Sequence, residues 1–250
     1  MKYLVRNIPR QTLIRFSFIF SKIIAIFYVG NKVNCPICES NFRKFLPWGN
    51  KGALNRLCPN CLSLERHRLL WLYLKNKTNF FSDNLKVLHI APEQPFIKRF
   101  RALKNLDYIT ADIDSPIADI KVDIMDIQFD DNIYDVIICN HVLEHVDNDI
   151  TAMKEIFRVL KKGGWAILQV PINPNLNETF EDPSITDPLE REKYFGQYDH
   201  VRFHGLDYKK RLKKAGFNVF SDEYINTFSA ESIERHRLPK GEIIYLCKKI

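Results

Sequence analysis

The chain has 250 residues, 46% of them hydrophobic and 27% charged, with no low-complexity tract or internal repeat, which excludes a disordered chain and allows one large domain or a standard domain with an attachment. The formal net charge of +7 is unevenly placed: residues 1–77 hold 14 Lys+Arg against two acids, Glu39 and Glu65. That region either meets something anionic, such as nucleic acid, phospholipid headgroups or an acidic substrate, or is a solvated basic face.

The first element is the apolar run 13–29, "LIRFSFIFSKIIAIFYV", interrupted by Arg15 and Lys22. A spanning helix needs about 20 mostly apolar residues, so the run is expected to pack on the protein or to lie in a membrane interface. It ends in no small-residue cleavage site, which argues against a signal peptide. The expected location is cytoplasmic, with peripheral contact at the inner face of the membrane through 13–29 as the alternative. Next come "CPIC" and "CPNC", placing Cys35, Cys38, Cys58 and Cys61 in a C-x2-C-x19-C-x2-C pattern. Each C-x-x-C makes a tight knuckle presenting two sulfurs, so the pattern predicts a structural four-thiolate zinc site, with two disulfides as the alternative. Cys139 and Cys247 sit in apolar runs and are expected in the core. A helix is predicted over 62–75, its polar block Glu65, Arg66, His67 and Arg68 stitching the zinc module to the next domain.

From residue 86 short apolar runs alternate with helical stretches, which predicts β-α-β units on a parallel sheet. Strands are expected at 86–91, 107–112, 119–124, 134–140 and 165–171, with helices at 96–105, 148–164 and 207–217. Two last strands are expected near 217–224 and 242–248. The division is therefore a helical segment 1–30, a zinc module and connecting helix 31–78, and an α/β domain 79–250 with an insertion at 172–206.

Within that domain, residues 86–171, and most specifically 127–171, "IQFDDNIYDVIICNHVLEHVDNDITAMKEIFRVLKKGGWAILQVP", resemble the type 11 group of class I S-adenosylmethionine-dependent methyltransferases. The resemblance implies a Rossmann-like sheet, mostly parallel with an antiparallel last strand, and S-adenosylmethionine as cofactor. It also bears on "HVLEH", His141 to His145, which fits the H-x-x-E-H of inverzincin peptidases. In the methyltransferase group such a segment opens the loop after the fourth strand, so a peptidase is disfavoured. Some related methyltransferases hold a divalent ion with E-x-x-E-H; here His141 occupies the first glutamate position, which weakens a magnesium site because hard cations prefer oxygen.

The resemblance implies cofactor contacts from His89, Ala91 and Glu93 in the first loop, from Asp112 with Ile113, from Asp123 with Ile124 and Met125, and from Asn140. Asp112 would accept from the ribose hydroxyls and Asp123 from the adenine amino group, with Asp114 as runner-up for the ribose. One departure stands out: the first loop, "HIAPEQP", has no glycine where the family is glycine-rich and has His89 where an acid is usual. Retention of the cofactor is the expectation, through another loop geometry. Catalytic bases are sought in His141, His145 and His200, and acceptor contacts in Tyr198, Arg202 and His204 of "FGQYDHVRFHG". The expected activity is methylation of oxygen or nitrogen on a small-molecule, glycan or peptide acceptor. Two alternatives remain: an RNA methyltransferase docking through the basic zinc module, and a degenerate, non-catalytic scaffold.

Overall fold

The computed structural model describes residues 10–49 and 52–250, without the side chains of 10–15, 18 and 19. Residues 1–9 of the expected 1–30 segment, and the side chain of Arg15, lie outside the described residues. The helices are α1 (Arg10–Phe27), α2 (Glu65–Lys77), α3 (Gln94–Arg101), α4 (Asp149–Val159), α5 (Pro188–Phe195), α6 (Tyr208–Lys214) and α7 (Ala230–His236). The strands are β1 (Val29–Asn34), β2 (Asn41–Phe42), β3 (Leu46–Trp48), β4 (Ala53–Leu57), β5 (Leu85–Ile90), β6 (Leu106–Asp112) and β7 (Ile120–Lys121). They continue with β8 (Tyr134–Asn140), β9 (Leu160–Gln169), β10 (Phe180–Glu181), β11 (Arg202–Phe203), β12 (Asn218–Asp222) and β13 (Ile244–Lys248).

The chain divides into two compact units, one of Met1–Asp83, Glu93–Asn105 and Glu223–Ile243, the other of Asn84–Pro92, Leu106–Asp222 and Ile244–Ile250. Segments 93–105 and 223–243, which the sequence suggested belong to the α/β domain, thus group with the cysteine-bearing region.

In the first unit β1 pairs with β2 and β3 with β4, both antiparallel. The two cysteine knuckles repeat one backbone pattern. Glu39 N–H donates to Cys35 O and Cys35 N–H to Ser40 O; Leu62 N–H donates to Cys58 O and Cys58 N–H to Ser63 O. Glu39 and Leu62, each just after a second cysteine, both have left-handed φ, at 57° and 58°. Helix α1 meets the second knuckle on its polar side, where Ser21 Oγ and Lys22 Nζ donate to Asn60. Its Phe16, Phe20, Ile23, Ile26 and Phe27 are exposed.

Helix α2 buries Leu69, Leu70, Tyr73 and Leu74. Trp71, Phe96 and Phe100 join α2 to α3 as stacked rings, their planes within 5° of one another and centroids 5.1 to 6.4 Å apart. From the expected polar block, Arg68 is fully buried and stitches within this unit: it donates to the carbonyls of Arg56, Ser63, His236 and Arg237 and lies 4.6 Å over the Phe45 ring.

The second unit is built on a seven-stranded sheet in the order β12-β13-β9-β8-β5-β6-β7. All pairs from β9 to β7 are parallel, whereas β13 runs antiparallel to both β9 and β12. The central strands read as continuous apolar runs because both faces are covered; Val87, Leu88, Val136, Ile137, Ile138, Ala166, Ile167 and Leu168 are fully buried. Helix α4, capped by Asn148 Oδ1 accepting from Thr151 N–H, buries Ala152, Met153, Ile156 and Val159.

Three local expectations change. The helix expected to Gly164 stops at Val159, because Leu160 already pairs with Tyr134 and the strand takes a bulge at the glycines, Gly163 having φ 79°. The strand expected over 119–124 shrinks to Ile120–Lys121, since Asp123 Oδ1 accepts from Met125 N–H and turns the chain away. The helix expected at 96–105 begins at Gln94 and ends at Arg101, with Pro95 in its first turn.

Candidate active site

The parallel strands β5, β6, β8 and β9 end together, and in such sheets the crevice beyond the carboxyl ends is where ligands bind. Sequence-expected residues lie at the ends of β5, β6 and β8. At β5, Ala91 takes a left-handed φ of 48° and donates its N–H to Ala111 O, so alanine makes the turn that a glycine would make without strain. At β6, Asp112 Oδ1 accepts from the N–H groups of Asp114 and Ser115, which fixes the carboxylate and leaves Oδ2 without a donor among the described residues. Behind it, Asp119 Oδ2 accepts from Thr110 N–H and Thr110 Oγ1 and ties down the loop between β6 and β7. Asp123, half-buried, is held by the Met125 N–H, with Ile124 buried and Met125 half-buried beside it. Ile113 is exposed, and Asn140 is buried at the end of β8.

Two members of the expected set have other partners. His89 is buried in β5, its Nδ1 2.7 Å from the Tyr108 hydroxyl, so its imidazole offers no surface to a ligand. Glu93 stands at the N-cap position of α3, with a carboxylate oxygen 4.0 Å from His67 Nε2.

After β8 the chain turns sharply at His141, whose φ is 55° and whose N–H donates to Gln169 O at 2.7 Å. Strained backbone of this kind is typical of functional loops. His141 to His145 is a turn rather than a helix, so it lacks the helical face that a peptidase zinc site requires. Glu144 is 1% exposed, and its Oε1 lies 3.4 Å from His141 Nδ1. Burial alone would raise the Glu144 carboxyl; the hydrogen bond and charge of His141 outweigh it and hold the group below the usual range. His145 Nδ1 lies 3.2 Å from Asp199 O and 3.6 Å from Asp199 Oδ2. His200 is 3% exposed, bonds Phe195 O through Nδ1, and meets His145 ring to ring at 4.7 Å. Burial pushes His200 below the ordinary imidazole value.

The insertion is fastened to this loop by Arg202. Its guanidinium donates to Leu143 O, Val146 O and Asp147 O and to Glu181 Oε2, and the residue is 2% exposed. Arg202 therefore holds the β8 loop instead of presenting a free fork to an acceptor. Val201 N–H adds a bond to Glu144 O. His204 is buried against Tyr208 and 4.0 Å from Asp149, and burial pushes it down to about 4, so it is a neutral core imidazole near pH 7. Tyr198 is 62% exposed.

The sequence did not single out Glu181, Asp149 and Arg211, which complete the brace: Arg211 donates to both Asp149 oxygens and to Glu181. The burial of Asp149 beside Arg211 is set by tertiary packing.

In the first unit, Cys35 Sγ lies 3.6 Å from Cys61 Sγ and Cys38 Sγ 3.7 Å from Cys58 Sγ, and all six cysteines are free. Disulfide sulfurs stand about 2.05 Å apart, whereas the edge of a tetrahedron with zinc–sulfur bonds of about 2.3 Å is about 3.8 Å. The donor set fits a four-thiolate ion.

The methyltransferase-domain family matches residues 68–222 of this sequence. The chain belongs to that family. It is a class I S-adenosylmethionine-dependent methyltransferase by family and by sheet order. The [4+2]-cyclase SpnF is similar in structure at a TM-score of 0.51 and 14% identity, over 82% of this chain and 86% of that one. YcgJ from Bacillus subtilis aligns at 0.48 and 17%, covering 72% and 94% of the two chains. A SAM-dependent methyltransferase from Archaeoglobus fulgidus aligns at 0.45 and 17%, covering 72% and 91%. At these identities the likeness speaks to fold alone. No curated protein matches the sequence.

Proposed function

We propose that this methyltransferase transfers the methyl group to an oxygen or nitrogen of a small-molecule, glycan or peptide acceptor, at the ends of β6 and β8. The observation that carries this reading is the gathering of His141, Glu144, His145 and His200 in the loops just beyond Asn140. S-adenosylmethionine supplies an electrophilic methyl group on a positively charged sulfur. Asp112 Oδ2 is suited to accept from ribose hydroxyls and Asp123 from the adenine amino group, with Met125 against the base. His141 is suited to take the acceptor's proton through Nε2, which has no hydrogen-bond partner among the described residues, while Glu144 orients the ring through Nδ1 and stabilises the charge that the ring gains. Arg202 and Val201 keep that geometry by tying the insertion to the loop, and alignment is the larger part of catalysis in a displacement of this kind.

Zinc in the four-cysteine cluster completes the reading, as a structural ion. No described helix is long and apolar enough to cross a membrane. The exposed apolar face of α1 supports peripheral membrane contact, which co-sedimentation with anionic vesicles tests. The acceptor is sought by incubating the enzyme with labelled cofactor and cell extracts resolved into small molecules, glycans, peptides and RNA. Label in one of the first three fractions, lost with His141→Ala, is the expected outcome. Label confined to RNA overturns the acceptor class.

A further inference from the structure

The loop cluster contains more unspent ligand atoms than proton transfer needs. Glu144, His145 and His200 each offer one ligand atom, all lying within 4.8 Å of one another. The two imidazoles are held in the same way: His145 Nδ1 faces the Asp199 carbonyl at 3.2 Å and His200 Nδ1 the Phe195 carbonyl at 3.0 Å. This is the outer-sphere arrangement of metal-bound histidine, in which one ring nitrogen is committed to a carbonyl and the other is left with its lone pair for an ion. The carboxylate is split likewise, with Glu144 Oε1 toward His141 and Oε2 turned inward.

Both Glu144 Oε2 and His200 Nε2 are buried with no hydrogen-bond partner among the described residues. Leaving such a group unsatisfied is costly, and native interiors rarely leave two together. They belong to side chains that are 1% and 3% exposed and that each bring a ligand atom within 4.8 Å of the other's.

We propose that Glu144, His145 and His200 bind a divalent first-row transition ion, separate from the four cysteines, with an open coordination position toward the acceptor. Two imidazoles and one carboxylate suit zinc, cobalt or iron; magnesium is disfavoured by the single oxygen ligand. Atoms bound to one ion at about 2.1 Å lie no more than about 4.2 Å apart, so the observed separations close with small side-chain rotations. The frame is stiff enough to hold them: Arg202 and Val201 fix the insertion to the β8 loop. The inference rests on the methyltransferase reading only in what the ion does. There it polarises an acceptor hydroxyl, favouring oxygen over nitrogen, and leaves His141 outside the ligand set as the base.

The test is metal content and cobalt spectroscopy on the full chain. Wild-type protein should hold two ions per chain: one with the intense sulfur-to-cobalt charge transfer of four thiolates, and one with only the weak visible bands of nitrogen and oxygen ligands. His200→Ala and His145→Ala should each remove the second ion and its bands and keep the thiolate spectrum, which also reports that the variant is folded. His141→Ala should keep both ions. Asp199→Ala, which removes the carboxylate beside His145 Nδ1, should weaken the second ion by about 10-fold or more. A wild-type chain with a single ion of thiolate spectrum, or a second ion unmoved by either histidine variant, overturns the site. Methyl transfer by that single-ion chain would leave the enzymatic reading standing, whereas two ions with no methyl transfer would support the site and sink that reading.

Discussion

In the cysteine cluster every ligand has a partner ligand three residues away, and each pair sits on a knuckle closed by its own backbone hydrogen bonds. In the histidine cluster the ligands come from a turn at 144–145 and from an insertion residue, His200, and Arg202 joins the two segments. The first presents four thiolates suited to hold one ion, on knuckles set by local turns. The second is held by a buried guanidinium and a sheet, so its geometry exists before any ligand arrives. A site made by local turns is thus fragile to ligand loss, and a site made by tertiary packing is fragile to loss of its brace.

The largest effect expected from this contrast is on the cysteine side. Cys58→Ser should abolish zinc retention and hydrogen-exchange protection over 29–77, because zinc binding in small modules contributes about 10–16 kcal/mol to folding. Normal protection without zinc would make the cluster dispensable. On the other side, Arg202→Ala should destabilise by about 3 kcal/mol or more in urea titration, leaving the carbonyls of Leu143, Val146 and Asp147 without their donor. It should lower turnover more than it raises the acceptor's Michaelis constant, and Arg202→Lys should not rescue it, since one ammonium cannot reach three carbonyls and a carboxylate. An effect confined to the Michaelis constant would restore Arg202 as an acceptor clamp.

Acid sharpens the comparison further. His204 is held at about 4 against an ordinary 6.5, with burial as the leading cause. The unfolded chain therefore takes up the proton first; stability is complete above pH 6.5 and declines as pH falls toward 4, by about 3 kcal/mol in all. The depressed carboxyls of Glu144 and Asp149 act in the same direction at lower pH. Urea midpoints measured from pH 8 to pH 4 should show the decline, and His204→Gln should flatten its upper part. The smallest effect is at the first loop. Ala91→Gly should relieve left-handed strain and raise stability by up to about 1 kcal/mol with cofactor affinity kept, while Ala91→Val should lower both.

The sequence revealed those features that depend on near neighbours. Cys35, Cys38, Cys58 and Cys61 are read from spacing alone, and the apolar runs at 86–91, 134–140 and 165–171 announce parallel strands. The run 127–171 carried the family. Where an outcome depends on distant partners the sequence was silent: nothing in "FED" marks Glu181 as the mate of Arg202, and nothing in "VRF" marks Arg202 as a fastener. Arg68, taken as a junction residue, closes the cysteine-bearing unit on itself through the His236 and Arg237 carbonyls. The glycine-free first loop reads as a departure from its family; only backbone angles reveal that Ala91 makes the turn.

The central claim is that the carboxylate closing β6 holds the nucleoside of S-adenosylmethionine. Calorimetric titration of the wild-type chain with S-adenosylmethionine should give saturable binding at one site, weakened by at least about 10-fold in Asp112→Ala, as expected for loss of a charge-assisted hydrogen bond. Wild-type protein that binds no cofactor, or Asp112→Ala that binds it as tightly, would contradict the account.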